Sequence, residues 1–119
     1  MRMLKNNLNL EMTKGDTLSF GVEIYGLGQN LDTAYFTCKK NYDSNVNIFQ
    51  KSLNNGITLD RHDESGNYFY KVRLAPEDTT NLEVGKYYYD FQISCNGDIF
   101  TIMKGIFTFD YDVTQEGAQ

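Results

Sequence analysis

The chain has 119 residues, a net charge of −5 and a pI near 4.7. This length holds one domain with a single core. The acidic balance argues against general binding to nucleic acid or to anionic membranes, since both need a positive field to attract phosphates.

The composition favours strands over helices and a reducing compartment. One Pro, ten Gly and an aromatic content of 14% are typical of short strands joined by tight turns. No apolar run reaches the roughly 18 residues of a membrane span, and Met1 to Lys5 lacks the apolar core of a signal peptide. We therefore expect a cytoplasmic protein in which Cys38 and Cys95 are free thiols.

Alternation of apolar and polar residues predicts strands through the first half of the chain. Four runs follow this pattern in order: 8–12, 17–25, 34–38 and 46–53. In the last of them Phe49 and Lys51 share one face, and the lysine indicates an edge strand that discourages pairing with other chains.

Further strands are predicted in the second half, at 57–59, 67–74, 86–94 and 99–109. The sequence Asn96-Gly97-Asp98 is a strong hairpin turn between the last two. The final strand changes phase, because its early apolar residues are even-numbered while Phe107 and Phe109 are odd-numbered. One extra residue near 104–105 restores a single buried face, so Gly105 is predicted to form a β-bulge.

The chain is organised around the stretch from Pro76 to Ile93. Pro76 suits the first position of a short helical turn near 76–83, which should end near Gly85. A helical turn, a Leu and a Gly before a Tyr at a strand start is typical of the tyrosine corner of immunoglobulin-like sandwiches. Leu82, Gly85 and Tyr87 fit these positions, and the Tyr87 hydroxyl is expected to bond back to the turn.

These elements predict an all-β fold, an immunoglobulin-like antiparallel β-sandwich of 7–8 strands with one short helical turn near 76-83. A small closed barrel is the alternative. The predicted divisions are an N-terminal lead-in at 1–7, a single domain at 8–114 and a polar C-terminal tail at 115–119. No cofactor is needed for folding.

No arrangement of residues predicts catalysis. The only histidine, His62, has no nucleophile beside it, and neither cysteine has an activating partner. Asp60, His62, Asp63 and Glu64 offer oxygen and nitrogen ligands for a divalent metal, but a solvated hairpin loop explains the same residues. We predict a protein that is not an enzyme and has no metal or cofactor site.

Outward aromatic residues predict an interaction surface. Tyr25, Tyr35, Phe69 and Tyr88 occupy outward positions of their strands, and exposed aromatic side chains often mark binding faces. A carbohydrate platform is the alternative interpretation, which the absence of Trp weakens.

A series of short motifs occurs in order along the chain. They are Gly15-Asp16-Thr17, Gly56-Ile57-Thr58-Leu59, Gly66-Asn67-Tyr68, Pro76-Glu77-Asp78-Thr79, Leu82, Gly85, Tyr87, Tyr89-Asp90, Thr101, Gly105 and Asp112-Val113-Thr114. From about Leu8 to Thr114 this series resembles the immunoglobulin-like N-terminal domain of phage upper-baseplate proteins and related small tail proteins of phages and prophages.

The resemblance implies a non-enzymatic phage or prophage structural protein. Such a protein would act as an assembly or adaptor module of the tail or baseplate, through contacts with other tail and baseplate proteins and as a homo-oligomer. It would be assembled in the host cytoplasm and located in the virion, without nucleic-acid or membrane partners. A carbohydrate-binding or host-adhesion module is the alternative function.

Overall fold

The computed structural model describes residues 6–111 and contains nine strands and one helix in that range. The elements are β1 (Asn6–Asn7), β2 (Leu10–Thr13), β3 (Leu18–Ile24), β4 (Thr33–Lys39), β5 (Phe49–Leu53), β6 (Gly56–His62), β7 (Tyr68–Leu74), α1 (Pro76–Thr79), β8 (Gly85–Cys95) and β9 (Asp98–Asp110). The all-β class is confirmed. The predicted tail at 115–119 and the Asp112-Val113-Thr114 motif lie outside the described residues, whereas part of the predicted lead-in forms β1.

Within residues 6–111 the nine strands form one mixed sheet. Eight of them follow the order β1-β9-β8-β4-β5-β6-β7-β3, and β2 also pairs with β9. Five of the eight strand pairings in this range are antiparallel, as predicted, but β1 and β2 run parallel to β9 and β5 runs parallel to β6, so the sheet is mixed. The N-terminal strands β1 and β2 pair with the last strand and run in the same direction. The alternation of residues within one strand does not indicate which strand lies beside it or in which direction that strand runs.

The sheet curls into a near-barrel shape that encloses one core. Phe20 on β3 packs edge-on against Phe36 on β4, with 5.7 Å between the ring centroids, although these strands are far apart in the sheet order. Strands β5 and β6 are joined by only two residue pairs. The largest side chains that are almost fully buried are Phe36, Phe91, Phe107, Phe109, Ile57, Leu74, Ile93 and Val72. The predicted inward face of β8 is buried from Tyr87 to Ile93.

The irregularity in β9 lies at Ile102, not at Gly105 as predicted. Thr101 and Met103 pair with consecutive residues of β8, which leaves the buried Ile102 as the extra residue between them. The insertion shifts the inward set by one position and puts Phe107 on the buried face, as the change of phase requires.

Gly105 instead allows the N-terminal segment to pass close to β9. It pairs regularly with Tyr89, but a Cβ atom at this position would clash with the carbonyl oxygen of Leu8 and lie 2.9 Å from its carbonyl carbon. The Tyr89 hydroxyl donates to the same Leu8 oxygen, and Asn9 Oδ1 accepts the Ile106 N–H at 3.1 Å. Only glycine leaves room for this crossing.

Helix α1 is a single turn, shorter than the predicted 76–83. Pro76 occupies its first position, and the Thr80 N–H donates to the Pro76 carbonyl oxygen at 3.1 Å. The chain then continues as a turn, in which the Leu82 N–H donates to the Thr79 oxygen at 3.0 Å. The side-chain oxygen of Thr79 accepts the Gly15 N–H at 2.8 Å, so the helix is tied to the turn between β2 and β3.

The prediction that Lys51 lies on an edge strand is wrong, because β5 lies between β4 and β6 in the sheet. Strand β5 begins at Phe49, which is buried, and Lys51 lies on the same inward face. Its ammonium lies 2.8 Å from the Asp78 carboxylate, which also accepts the Ala75 N–H at 2.7 Å. The lysine therefore joins β5 to α1 at the margin of the core.

Candidate functional site

The four aromatic residues predicted to form an interaction surface lie in two separate places. Tyr35 on β4 and Tyr88 on β8 point outward from neighbouring strands. Phe69 on β7 pairs with Glu23 on β3, and Tyr25 follows that strand, at the other end of the sheet order. The structure therefore does not bring the four together.

The second pair offers little free aromatic surface. The guanidinium carbon of Arg61 lies 3.7 Å from the centroid of the Phe69 ring, an arrangement that is typical of a cation–π contact. Tyr25 is 60% exposed and its hydroxyl donates to Glu23, a hydrogen bond that raises the pKa of Tyr25. Only the Tyr25 ring remains open to a partner.

The outward residues of β5, β4, β8 and β9 form one continuous surface, called the outer face below. Its cross-strand rows are Thr33-Ser94-Ile99, Ser52-Tyr35-Gln92-Thr101, Gln50-Thr37-Asp90-Lys104 and Lys39-Tyr88-Ile106. Ile99 is 67% exposed and Tyr35 is 37% exposed. The first two rows therefore carry exposed apolar side chains, and the charged residues lie in the last two.

An open groove of about 260 Å³ crosses the charged half of the outer face. It is lined by Thr37, Lys39, Tyr42, Tyr88, Tyr89, Asp90, Thr101 and Lys104. The rings of Tyr42 and Tyr88 pack against each other, with centroids 4.2 Å apart and planes tilted by 38°. Together they form an aromatic wall beside charged groups.

Asp90 is the half-buried carboxylate of the groove. Burial raises its pKa, while the nearby ammonium groups of Lys39 and Lys104 act in the opposite direction. Between residues 6 and 111, the Lys51–Asp78 contact is the one ion pair, and no side-chain hydrogen bond reaches the Asp90 carboxylate. The two lysines therefore offset its desolvation only in part, and no internal hydrogen bond from residues 6–111 adds to their effect.

Sequence reasoning missed Tyr42 and Asp90. Tyr42 is 63% exposed and lies in the turn after β4. A turn has no alternating pattern of apolar and polar residues from which the direction of a side chain could be predicted. Asp90 was assigned correctly to the outward side of β8, but its partial burial depends on side chains from two other strands and from that turn.

The predicted corner residues run from α1 into β8: Pro76 begins the helix, Leu82 lies in the connection, and Gly85 and Tyr87 belong to the strand. The Tyr87 ring is buried, and its hydroxyl donates to the Glu83 carbonyl oxygen at 2.9 Å, so the expected bond back to the turn is present. Burial raises the pKa of Tyr87. Gly85 has a φ of +133°, a conformation that side chains rarely adopt. Leu82 packs against the core.

The polar residues considered as metal ligands belong to a hairpin. Asp60 and His62 lie in β6, which extends further than predicted, and His62 stacks on Tyr68 with 5.0 Å between centroids. The Asp63 carboxylate accepts the backbone N–H of Asn67 at 3.0 Å, which lowers the pKa of Asp63. In the described part of the chain, no three His, Cys, Asp or Glu side chains are grouped to hold a metal ion.

Both cysteines are buried and unbridged. Burial raises the pKa of the Cys38 thiol to about 12, so it carries almost no thiolate near neutral pH. This environment suits a small core residue.

Between residues 6 and 111, no helix has the length and apolar character needed to cross a membrane.

Comparison with known proteins leaves the family open. The sequence matches no protein-family model and has no significant match among curated proteins.

Proposed function

We propose that the curled sheet is an immunoglobulin-like sandwich. Its layers would be β3-β7-β6 and β2-β9-β8-β4-β5, which are joined through the two residue pairs between β5 and β6. The packing of Phe20 on Phe36 between the layers supports this assignment. So does the Tyr87 hydroxyl bond to Glu83, which matches the tyrosine corner of such sandwiches.

In this proposal the chain is a non-enzymatic structural protein of a phage or prophage virion. It serves as an assembly or adaptor module of the tail or baseplate and contacts other tail proteins and further copies of itself. The ordered series of motifs from Gly15 to Gly105 supports this role, and its members fall on turns, on α1 and on strands β6, β7, β8 and β9.

The observation that carries the proposal is the uncharged half of the outer face, which consists of its first two rows. There Ile99 and Tyr35 are exposed beside uncharged polar side chains, including Ser94, Thr33 and Gln92. The centres of protein interfaces are depleted in charge and contain aromatic and aliphatic side chains. This half of the face lacks charge and exposes one aromatic and one aliphatic side chain, and it shares these two features with interface centres.

Mass spectrometry of purified virions or tails tests the proposal. The particles come from a phage or an induced prophage that encodes this chain, and the chain should be present in several copies per particle. Its absence from intact particles would refute the role. Light scattering of the isolated protein measures self-association, which Ile99→Asp should weaken if the same face joins copies of the chain.

A second candidate, a carbohydrate-binding or host-adhesion module, is favoured by a different observation. The groove in the charged half of the outer face places two tyrosine rings beside a carboxylate.

A further inference from the structure

We propose that the groove formed by Tyr42, Tyr88 and Asp90 binds one neutral sugar ring of a glycan. The site rests on the second candidate function and does not depend on the assembly role, because Thr101 is the one lining residue of the groove that shares a row with Tyr35, and none shares the row of Ile99. An assembly protein can carry such a site, and so can a protein of another origin.

The size of the groove fits a single ring. Its volume of about 260 Å³ lies just below the roughly 300 Å³ at which pockets for drug-sized ligands begin. The groove is open along one side, so the remainder of a glycan can extend into solvent. A longer apolar ligand would leave most of its surface exposed to water.

The aromatic wall supplies the stacking surface. A pyranose presents several C–H groups on one face, and these carry a small positive charge that suits the negative face of an aromatic ring. The Tyr42 ring is 63% exposed and lies against Tyr88, which limits its rotation. Binding there orders few additional side-chain torsions, which lowers the entropic cost.

Charges of both signs in the groove suit a ligand with many hydroxyl groups. Asp90 lies opposite Lys104 across β8 and β9, and Lys39 lines the same groove. A polyanion would be attracted by the two lysines but repelled by the Asp90 carboxylate. A polycation would be attracted by the carboxylate but repelled by the lysines. Sugar hydroxyls can donate to the Asp90 oxygens and accept from both ammonium groups, so they use charges of both signs.

Comparison of the two half-buried carboxylates supports this site. Asp78 is held by the Lys51 ammonium at 2.8 Å and by the Ala75 N–H at 2.7 Å, which offsets its burial. Asp90 has no such hydrogen bond from residues 6–111 and has a raised pKa. A carboxylate that is partly desolvated without internal donors is suited to accept them from a ligand.

Two-dimensional ¹H–¹⁵N NMR of the full chain tests the proposal with D-glucose, D-galactose, N-acetyl-D-glucosamine and L-rhamnose as separate probes at millimolar concentrations. At least one sugar should shift the amide signals of residues 37–42, 88–90 and 101–104 saturably. Asp90→Asn should weaken its binding about tenfold, because a charge-assisted hydrogen bond is replaced by a weaker one. Tyr42→Ala should weaken it by a similar factor through loss of stacking.

The matched controls are Asp60→Asn and Tyr25→Ala, which change an exposed carboxylate and an exposed tyrosine away from the groove. Both should bind the same sugar as tightly as the wild-type chain. The proposal is overturned if no sugar gives saturable shifts, or if Asp90→Asn binds undiminished. It is also overturned if a poly-glutamate peptide occupies these amides more tightly than every sugar. None of these outcomes bears on whether the chain is found in virions.

Discussion

Two buried tyrosine hydroxyls should differ in their contribution to stability, because they bond to backbone groups with different access to water. Tyr70 accepts the Leu31 N–H at 2.9 Å, and both residues are buried. Tyr87 donates to the carbonyl oxygen of Glu83, an exposed residue. Substitution with Phe keeps each ring and removes only the hydroxyl.

The expected costs follow from what each substitution leaves behind. Tyr70→Phe leaves a buried N–H without a partner, which costs about 2 kcal/mol within the usual range of roughly 1–3 kcal/mol. After Tyr87→Phe, water can reach the Glu83 oxygen, so the cost is the net value of one hydrogen bond, about 1 kcal/mol. At this chain length these losses lower Tm by about 8 °C and about 4 °C, respectively.

Urea unfolding followed by far-UV circular dichroism measures both variants. Tyr35→Phe is the control, because this hydroxyl takes part in no hydrogen bond with residues 6–111, and its free energy of unfolding should change by less than about 0.5 kcal/mol. If Tyr87→Phe destabilises the protein as much as Tyr70→Phe, the reasoning from access to water is wrong. Unchanged stability of both variants would show that neither hydrogen bond contributes to stability.

The remaining predictions concern the crossing at β9, the groove, the helix anchor and the core thiol. Gly105→Ala should destabilise the protein by about 1–3 kcal/mol in urea titrations because its Cβ would meet Leu8, whereas Gly21→Ala, with nothing closer than 3.9 Å, should be neutral or slightly stabilising. Asp78→Ala should cost about 2 kcal/mol in the same assay through loss of the Ala75 N–H bond and the ion pair; a value near zero would contradict the anchor. Since folding raises the pKa of Asp90, this residue destabilises the protein as the pH rises past the ordinary carboxyl pKa; in the same assay Asp90→Asn should increase the free energy of unfolding at pH 7 by less than about 1 kcal/mol and leave it unchanged at pH 3. The Cys38 thiol should remain unreactive towards a disulfide reagent at pH 8 until the chain unfolds, and rapid native labelling would contradict its burial.

Much of the core could be predicted from alternation within single strands. The inward residues of β8 are buried as expected, because a strand in a half-buried sheet shows its two faces directly in the sequence. The phase change in β9 likewise required one inserted residue. Its position could not be predicted, since Gly105 serves the crossing of Leu8 and the bulge lies at Ile102.

Neighbouring strands and the groove could not be predicted, because both depend on contacts between distant residues. Asn9 bonds to Ile106, 97 positions away, and no local pattern indicates that the first strands run parallel to the last. The ion pair between Lys51 and Asp78 could not be predicted either, because it joins two different elements and no pattern within one strand indicates it. Tyr42 lies in a turn without a period, so its place beside Tyr88 appears only in the folded chain.

We propose that the uncharged half of the outer face, which carries Ile99 and Tyr35, joins this chain to a virion. A phage or prophage lacking the gene can be complemented with the wild-type chain, with Ile99→Asp or with the control Tyr25→Asp, after each has been shown to fold. The measurement is the number of copies of the chain in purified particles, determined by quantitative mass spectrometry. We expect the wild-type chain and Tyr25→Asp to be incorporated equally and Ile99→Asp at least about tenfold less, because a charge placed at the centre of an interface is strongly unfavourable. Equal incorporation of all three, or particles that never contain the chain, would contradict the claim.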